Sequence, residues 1–231
     1  MFLDFDIIQE EKEDVLEVIK TLSNTCHDCR LSLLHPENKG LVWRGSPLAK
    51  IAIVSEAPGD KESETGLPLV GPSGKEFERW ARILEIDTKS DVLIINTIQC
   101  QSKKSKSKDG TFKQDKPDAD EIELCFEPRC MRVLRAMPNL EVVIALGWVA
   151  ASALLGTEAQ TKSHQGQWFA SKKLPGKAIY CMFHPAYLLH QPSQEKKGTI
   201  EEGLKAFKRD YLDPKTSKIL KILEENEARN G

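Results

Sequence analysis

The chain of 231 residues lacks the features of a membrane protein or a secreted protein. It has no apolar run that approaches the roughly 20 residues needed to cross a bilayer. Its N-terminal segment is acidic and lacks the basic start and apolar stretch of a signal peptide. We therefore expect a cytoplasmic, intracellular protein without a membrane partner.

The sequence also lacks internal repeats and a strong net charge. Its 33 basic and 35 acidic residues give a net charge of −2, so any contact with nucleic acid must come from local basic patches and backbone amides. The hydrophobic content of 40% excludes a disordered or fibrous chain. We expect one domain over residues 1–213 and a tail over 214–231, whose short apolar stripe predicts a surface helix.

Short, continuously apolar segments predict strands that are covered on both faces. They are Lys50–Ser55, Asp91–Thr97, Glu141–Leu146 and Ala178–Phe183. Helical patterns occur from Ile7 to about Asn24 and over Gly74–Leu84, Asp118–Met137, Trp148–Leu155 and Ile200–Tyr211. This alternation predicts a three-layer α/β/α sandwich around a central four-stranded parallel sheet. The lysine-rich segment Gln101–Pro117 has no apolar periodicity and is predicted to be a loop.

Six cysteines in an intracellular protein are more typical of metal ligands or buried thiols than of disulfides. Cys26 and Cys29 form a CxxC pair. Cys100 follows the end of a predicted strand, and Cys125 lies in a predicted helix. Four such thiolates fit either zinc or a [4Fe–4S] cluster, and their spacing does not choose between the two. Cys130 is an alternative ligand, whereas Cys181 is expected to be buried in its strand.

Polar groups follow three of the predicted strands at their carboxyl ends, where ligands bind in folds of this class. Glu56 begins a Pro- and Gly-containing loop, Asn96 ends an apolar strand, and His184 follows the last strand. Each residue has a structural alternative, as part of a connecting loop, a turn or a packed histidine. Their convergence at one edge of the sheet predicts a functional site.

The order of motifs resembles that of the family-4 uracil-DNA glycosylases, in the uracil-DNA glycosylase superfamily. The motifs are CxxCxL, EAPG, GxPxVGxxG, NxxxC, a helical Cys after DEIEL, ALGxxAxxxLLG, GQW and HPAYLL, which span Cys26 to about Tyr211. The resemblance implies that Cys26, Cys29, Cys100 and Cys125 hold a [4Fe–4S] cluster. It also implies a monomer that acts on uracil-containing DNA in the nucleoid and leaves an abasic site.

The resemblance further implies roles for individual residues. Asn96 pairs with the edge of the uracil, His184 donates to its O2, and Glu56 places a water molecule or favours the cationic sugar. Ala57 and Gly59 belong to the same substrate loop as Glu56. Glu62 matches a carboxylate that crowds the methyl group of thymine and so selects uracil.

Extrusion of the base from the duplex requires wedge and phosphate contacts. Leu188 and Leu189 in HPAYLL are candidate wedges, with core packing as the alternative. The backbone around Gly71, Ser73 and Gly74 and the lysine-rich segment are candidate phosphate contacts. A solvated run of charges is the alternative for the lysines.

The chain departs from the family at two positions of interest. Leu69 stands where the family has a phenylalanine that stacks on the flipped base, and Ser55 replaces a usual glycine. The first change makes a glycosylase for hypoxanthine or xanthine a competing hypothesis. A non-catalytic DNA-binding or replication accessory protein and a zinc-stabilised nucleotide-binding protein are the others.

Overall fold

The computed structural model describes most of the chain between Glu13 and Asp213. The described residues are 13–23, 26, 29–35, 40–106, 110, 112–156, 161–189, 193–213, 217 and 219. Within these ranges, no helix combines the length and apolarity needed to cross a bilayer. The predicted start of the first helix at Ile7 lies outside them, as does most of the predicted tail helix. Of the tail, Ser217 and Ile219 are described, and both are buried.

A mixed six-stranded sheet with the strand order β1-β3-β2-β6-β8-β7 forms the centre of the fold. The strands along the chain are β1 (Trp43–Gly45), β2 (Ile51–Ser55), β3 (Val92–Asn96), β4 (Lys104–Lys106), β5 (Phe112–Gln114), β6 (Val142–Leu146), β7 (Gln167–Ser171) and β8 (Leu174–Met182). The predicted strands correspond to β2, β3, β6 and β8, which pair in parallel. The prediction of a purely parallel, four-stranded sheet is wrong, because β1 and β7 add antiparallel edges.

Helices cover both faces of the sheet. The α-helices are α1 (Val15–Leu22), α2 (Arg30–Leu34), α3 (Asp60–Thr65), α4 (Pro72–Leu84), α5 (Ala119–Cys125), α6 (Arg132–Ala136), α7 (Trp148–Leu155), α8 (Thr161–His164), α9 (Ala186–Leu189) and α10 (Gln194–Phe207). A π-helical segment, Phe126–Met131, joins α5 to α6, and a second, Lys208–Leu212, extends α10. The predicted helix over Asp118–Met137 is therefore present, with a wider turn at its centre.

Alternate residues of each central strand enter two separate cores, because side chains along a strand point to opposite faces. Ala52 and Val54 of β2 join the core beneath α1, α6 and α7. Ile51 and Ile53 join the other core, which lies beneath α4 and α10. This second core contains Trp80. With both faces covered, the predicted α/β/α sandwich is confirmed.

The segment Gln101–Pro117 contains an antiparallel hairpin, so its prediction as a loop is wrong for β4 and β5. The three residues of β4 are all exposed. Backbone hydrogen bonds form these short strands without an apolar face, which explains why the sequence pattern did not indicate them.

The chain changes direction across the sheet beside β2. Its neighbours β3 and β6 lie on opposite sides of it, so the connections after β2 and after β6 lead to helices on opposite faces of the sheet. A crevice at the carboxyl ends of strands is expected at such a switch point. This geometry places the loops after Ser55 and Leu146 at the centre of a candidate site.

Candidate functional site

The candidate site begins with a buried amide at the end of β3. Asn96 is paired in register with Ser55 at the end of β2 and is 1% exposed. Its side-chain Nδ2 is buried and has no hydrogen-bond partner among the described residues. Because an unpaired buried amide costs free energy, this donor is poised for a ligand that supplies an acceptor.

His184 follows β8 at the same edge, and its two ring nitrogens have different partners. The backbone N–H of Ala186 donates to Nδ1 at 3.2 Å. In the neutral ring this contact leaves the proton on Nε2. Nε2 lies 3.0 Å from the hydroxyl oxygen of Ser55, to which it donates. His184 is thus oriented as a donor toward the ends of β2 and β3.

Gly147, which follows β6, allows the chain to pass close to His184. It has a φ of +88°, and a Cβ at this position would lie 3.2 Å from Cβ of His184. A side chain here would be strained and would displace the imidazole. Glycine at this strand end therefore permits the close approach of the chain to His184.

Glu56 supplies a carboxyl group directly after Ser55. Burial raises the pKa of Glu56, and the positive charge of Lys116 opposes that rise. The ammonium of Lys116 lies 4.7 Å from the ring centroid of Trp148, the first residue of α7. Lys116, in the segment that follows β5, thus connects the hairpin to the candidate site.

Glu62 on α3 braces the loop that leads to α4. Its Oε1 accepts hydrogen bonds from the backbone N–H of Val70 at 2.9 Å and of Gly71 at 2.8 Å. A Cβ at Gly59 would lie 2.8 Å from Oε2 of Glu62, so a larger residue there would push the carboxylate aside. These contacts assign Glu62 a structural role in holding the loop.

Leu69 occupies a constrained position in the same loop. Its φ is +52°, a conformation that costs a non-glycine residue about 1–2 kcal/mol. Arg44 donates to the carbonyl oxygens of Pro68 at 2.8 Å and Leu69 at 3.3 Å. A Cβ on Gly74 would lie 1.9 Å from the Leu69 oxygen, so the loop packs directly on the start of α4. The Leu69 side chain itself is buried in the core with Phe77.

The predicted DNA contacts fall into two groups. Gly71 caps α4, and Ser73 and Gly74 lie in its first turn, where backbone N–H groups lack partners within the helix. Leu188 is buried in the core, whereas Leu189 is 45% exposed. Exposure therefore favours Leu189 over Leu188 as a wedge.

The four predicted ligand cysteines line one small pocket. Leu31, Ile98, Leu124, Glu121 and Arg129 complete its wall. None of the cysteines forms a disulfide. Burial, with a contribution from neighbouring thiols, raises the pKa of Cys100 to about 12. The Cys125 sulfur accepts from the backbone N–H of Gln99 at 3.3 Å.

Among the described residues, no group of three His, Cys, Asp or Glu side chains is arranged to hold one metal ion. Cys130 is fully buried and is not part of the cavity wall, and Cys181 is buried in β8. Ala57 packs against the cluster that contains Cys100 and Cys125, which joins the cavity to the loop of Glu56.

Comparison with known families identifies the superfamily of this chain. The family model of the Uracil DNA glycosylase superfamily matches residues 42–208. The chain belongs to the uracil-DNA glycosylase superfamily. The matched region runs from the residue before β1 to the residue after α10, and so includes Glu56, Asn96 and His184.

Curated relatives carry the name type-4 uracil-DNA glycosylase. The protein of Thermotoga maritima is 26% identical over 201 residues, which cover 85% of this chain and 95% of the relative. That of Sulfurisphaera tokodaii is 26% identical over 87% of each chain. That of Pyrobaculum aerophilum is 26% identical over 86% of this chain and 95% of the relative.

Three contacts in this superfamily member were not predicted from its sequence. They are the hydrogen bond between Ser55 and His184, the approach of Lys116 to Glu56, and the clamp of Arg44 on the Leu69 loop. The serine in place of a usual glycine was the one available signal for the first. The contacts of Lys116 and Arg44 depend on where the hairpin and β1 lie relative to the site, which no local sequence pattern indicates.

Proposed function

We propose that this protein is a uracil-DNA glycosylase that hydrolyses the N-glycosidic bond of a uracil extruded from DNA. The observation that carries the proposal is the pair of donors at the sheet edge. The buried Nδ2 of Asn96 has no partner among the described residues, and Nε2 of His184 points to the neighbouring strand end. Superfamily membership and the names of the relatives support the same conclusion.

Uracil presents acceptors at O2 and O4 and a donor at N3. The Asn96 carboxamide complements O4 and N3. Its Nδ2 donates to O4, and its Oδ1 accepts from N3. Cytosine carries an amino group at the O4 position, which would face the donor of Asn96. The carboxamide therefore selects uracil over cytosine.

Bond cleavage leaves negative charge on the base and positive charge on the sugar. His184 donates from Nε2 to O2 as the negative charge develops, which stabilises the leaving base. Glu56, once ionised, stabilises the sugar cation and orients the attacking water. Burial raises the pKa of Glu56 while Lys116 holds it down, so the lysine favours the charged form that the reaction uses.

DNA binding in this proposal uses the start of α4 and the end of α9. The backbone N–H groups of Ser73 and Gly74 point along the first turn of α4, a favourable place for a phosphate. Leu189 is the exposed apolar side chain on α9 that would fill the space left by the extruded base. Leu188 supports it from the core.

The cofactor in this proposal is a [4Fe–4S] cluster held by Cys26, Cys29, Cys100 and Cys125. The fit rests on an all-thiol donor set that lines one cavity, next to the buried cation of Arg129. When bound, the cluster would cross-link the three chain segments that carry these cysteines.

We further propose that the enzyme is intracellular and acts on DNA as a monomer.

A substrate panel tests the proposed function. Labelled oligonucleotides that contain uracil, hypoxanthine, xanthine or thymine opposite guanine are incubated with iron-loaded protein, and abasic sites are revealed by alkali. We expect strand breaks at uracil and none at thymine. Release of hypoxanthine or xanthine but not uracil, or no release at all, would overturn the assignment.

A further inference from the structure

The hairpin of β4 and β5 is anchored on the loop that carries Glu56. Gln114 of β5 donates to the carbonyl oxygen of Pro58 at 3.0 Å. Lys104 of β4 forms an ion pair with Asp60, and Gln101 donates to the same carboxylate at 2.6 Å. These contacts attach the hairpin to the edge of the sheet where the proposed base pocket lies.

The register of the hairpin determines what its outer part presents. Lys104 is opposite Gln114, and Lys106 is opposite Phe112. Residues opposite one another, and residues two apart along a strand, have side chains on the same face. Lys104 and Gln114 form the pair that is anchored on the protein. Lys106 and Phe112 are therefore on the same face of the hairpin, one pair farther from the anchored end.

Phe112 is exposed to an unusual degree for its type. It is 69% exposed and is the one aromatic among the strongly exposed large apolar side chains of the described residues. Lys106, opposite it, is also exposed, and so is Lys103 at the base of the hairpin. An aromatic ring flanked by lysines combines a stacking surface with charge complementary to phosphate.

We propose that Phe112 and Lys106 form a DNA-contacting tip, in which the ring stacks on a nucleobase beside the extruded uracil and the ammonium pairs with a phosphate. This inference rests on the proposed function, because it uses the position of the base pocket to place the DNA. It assigns the DNA contact to the outer part of the hairpin. Lys104 and Gln114 anchor the hairpin and do not contact DNA.

Binding measurements test the tip directly. The probe is a labelled single-stranded oligonucleotide with one tetrahydrofuran abasic-site analogue, which the enzyme cannot cleave, and affinity is read by fluorescence anisotropy. Phe112→Ala should bind about tenfold more weakly, as expected for loss of one stacked base. Phe112→Trp should restore the affinity. Lys106→Ala should reduce the slope of log affinity against log salt by about 0.7, the contribution of one phosphate contact in a single strand.

Matched controls lie at the opposite edge of the sheet. Leu48→Ala removes an exposed apolar side chain before β2, and Lys89→Ala removes an exposed lysine before β3. Both variants should bind as the wild type does. Unchanged binding by Phe112→Ala, or an equal loss in Leu48→Ala, would overturn the inference.

Excision measured on the same variants separates this inference from the proposed function. If the wild type binds DNA but releases no uracil, weaker binding by Phe112→Ala still supports the tip while the enzymatic assignment fails. If the wild type releases uracil and Phe112→Ala binds normally, the tip is refuted and the enzymatic assignment stands.

Discussion

The hydroxyl oxygen of Ser55 lies 3.0 Å from Nε2 of His184 and accepts a hydrogen bond from it. The nitrogen that we propose donates to uracil O2 is thus already satisfied before substrate arrives. Ala186 fixes the ring from the other side through Nδ1. Substrate binding then exchanges one acceptor for another at Nε2, without a change of tautomer.

Replacement of Ser55 by alanine should separate stability from catalysis. The buried hydroxyl contributes one hydrogen bond, so its loss should lower the free energy of unfolding by about 1 kcal/mol. The rate of excision should be nearly unchanged, because Ala186 still orients His184. Urea denaturation and single-turnover excision measure the two effects. A rate as low as that of His184→Ala would show that Ser55 takes part in the chemistry.

The pH dependence of excision should depend on Lys116. Burial raises the pKa of Glu56 and Lys116 opposes that rise, so Lys116→Met should raise the pKa further. Because we propose that ionised Glu56 is the active form, the acidic limb of the kcat profile should move to higher pH. Rates on the alkaline side should match the wild type.

Lys103→Met is the matched control for this shift, because Lys103 is an exposed lysine of the same segment and is not among the charges that act on Glu56. Its acidic limb should stay in place. A shift of the limb to lower pH in Lys116→Met would contradict the assigned sign.

The contact between Gly74 and Leu69 should be intolerant of a methyl group. A Cβ at Gly74 would lie 1.9 Å from the Leu69 oxygen, so Gly74→Ala should lower the free energy of unfolding by about 3 kcal/mol. Gly198→Ala on α10 meets nothing within 4 Å and should stabilise the protein by about 0.5–1 kcal/mol. Equal urea midpoints for the two variants would argue against the described loop.

Iron content should depend on the cavity cysteines alone. Anaerobically purified protein should contain about four irons per chain with matching sulfide. Cys100→Ala should lose most of this iron, whereas Cys181→Ala should retain it, because Cys181 lies in β8 away from the cavity. Metal and sulfide analysis decides the outcome, and stoichiometric zinc without iron would refute the cluster.

The buried strands could be predicted because both of their faces are covered, which requires apolar residues at every position. Ile51 to Val54 and Val92 to Ile95 are continuously apolar, and each segment forms a parallel strand as expected. The edge strand β1 contains Arg44 and Gly45 and pairs through its backbone on one side. Such a strand carries no continuous apolar signal, so its position follows only from the folded sheet.

The location of the candidate site at one edge of the sheet could be predicted from the sequence, but the contacts within it could not. Strand ends indicated Asn96 and His184, because carboxyl ends of parallel strands meet at one edge. The partners of Glu62 could not be predicted, since its bonds to Val70 and Gly71 depend on a loop closure that no local pattern encodes.

Single-turnover excision of uracil by wild type, Asn96→Ala and His184→Ala tests the central claim most directly. We expect each variant to be slower by about 100- to 1000-fold, the effect of removing one donor to a developing anion. Asn139→Ala, which removes an amide that donates to the Leu48 carbonyl at 2.9 Å on the far edge, should excise normally. Wild-type rates in both Asn96→Ala and His184→Ala would contradict the account.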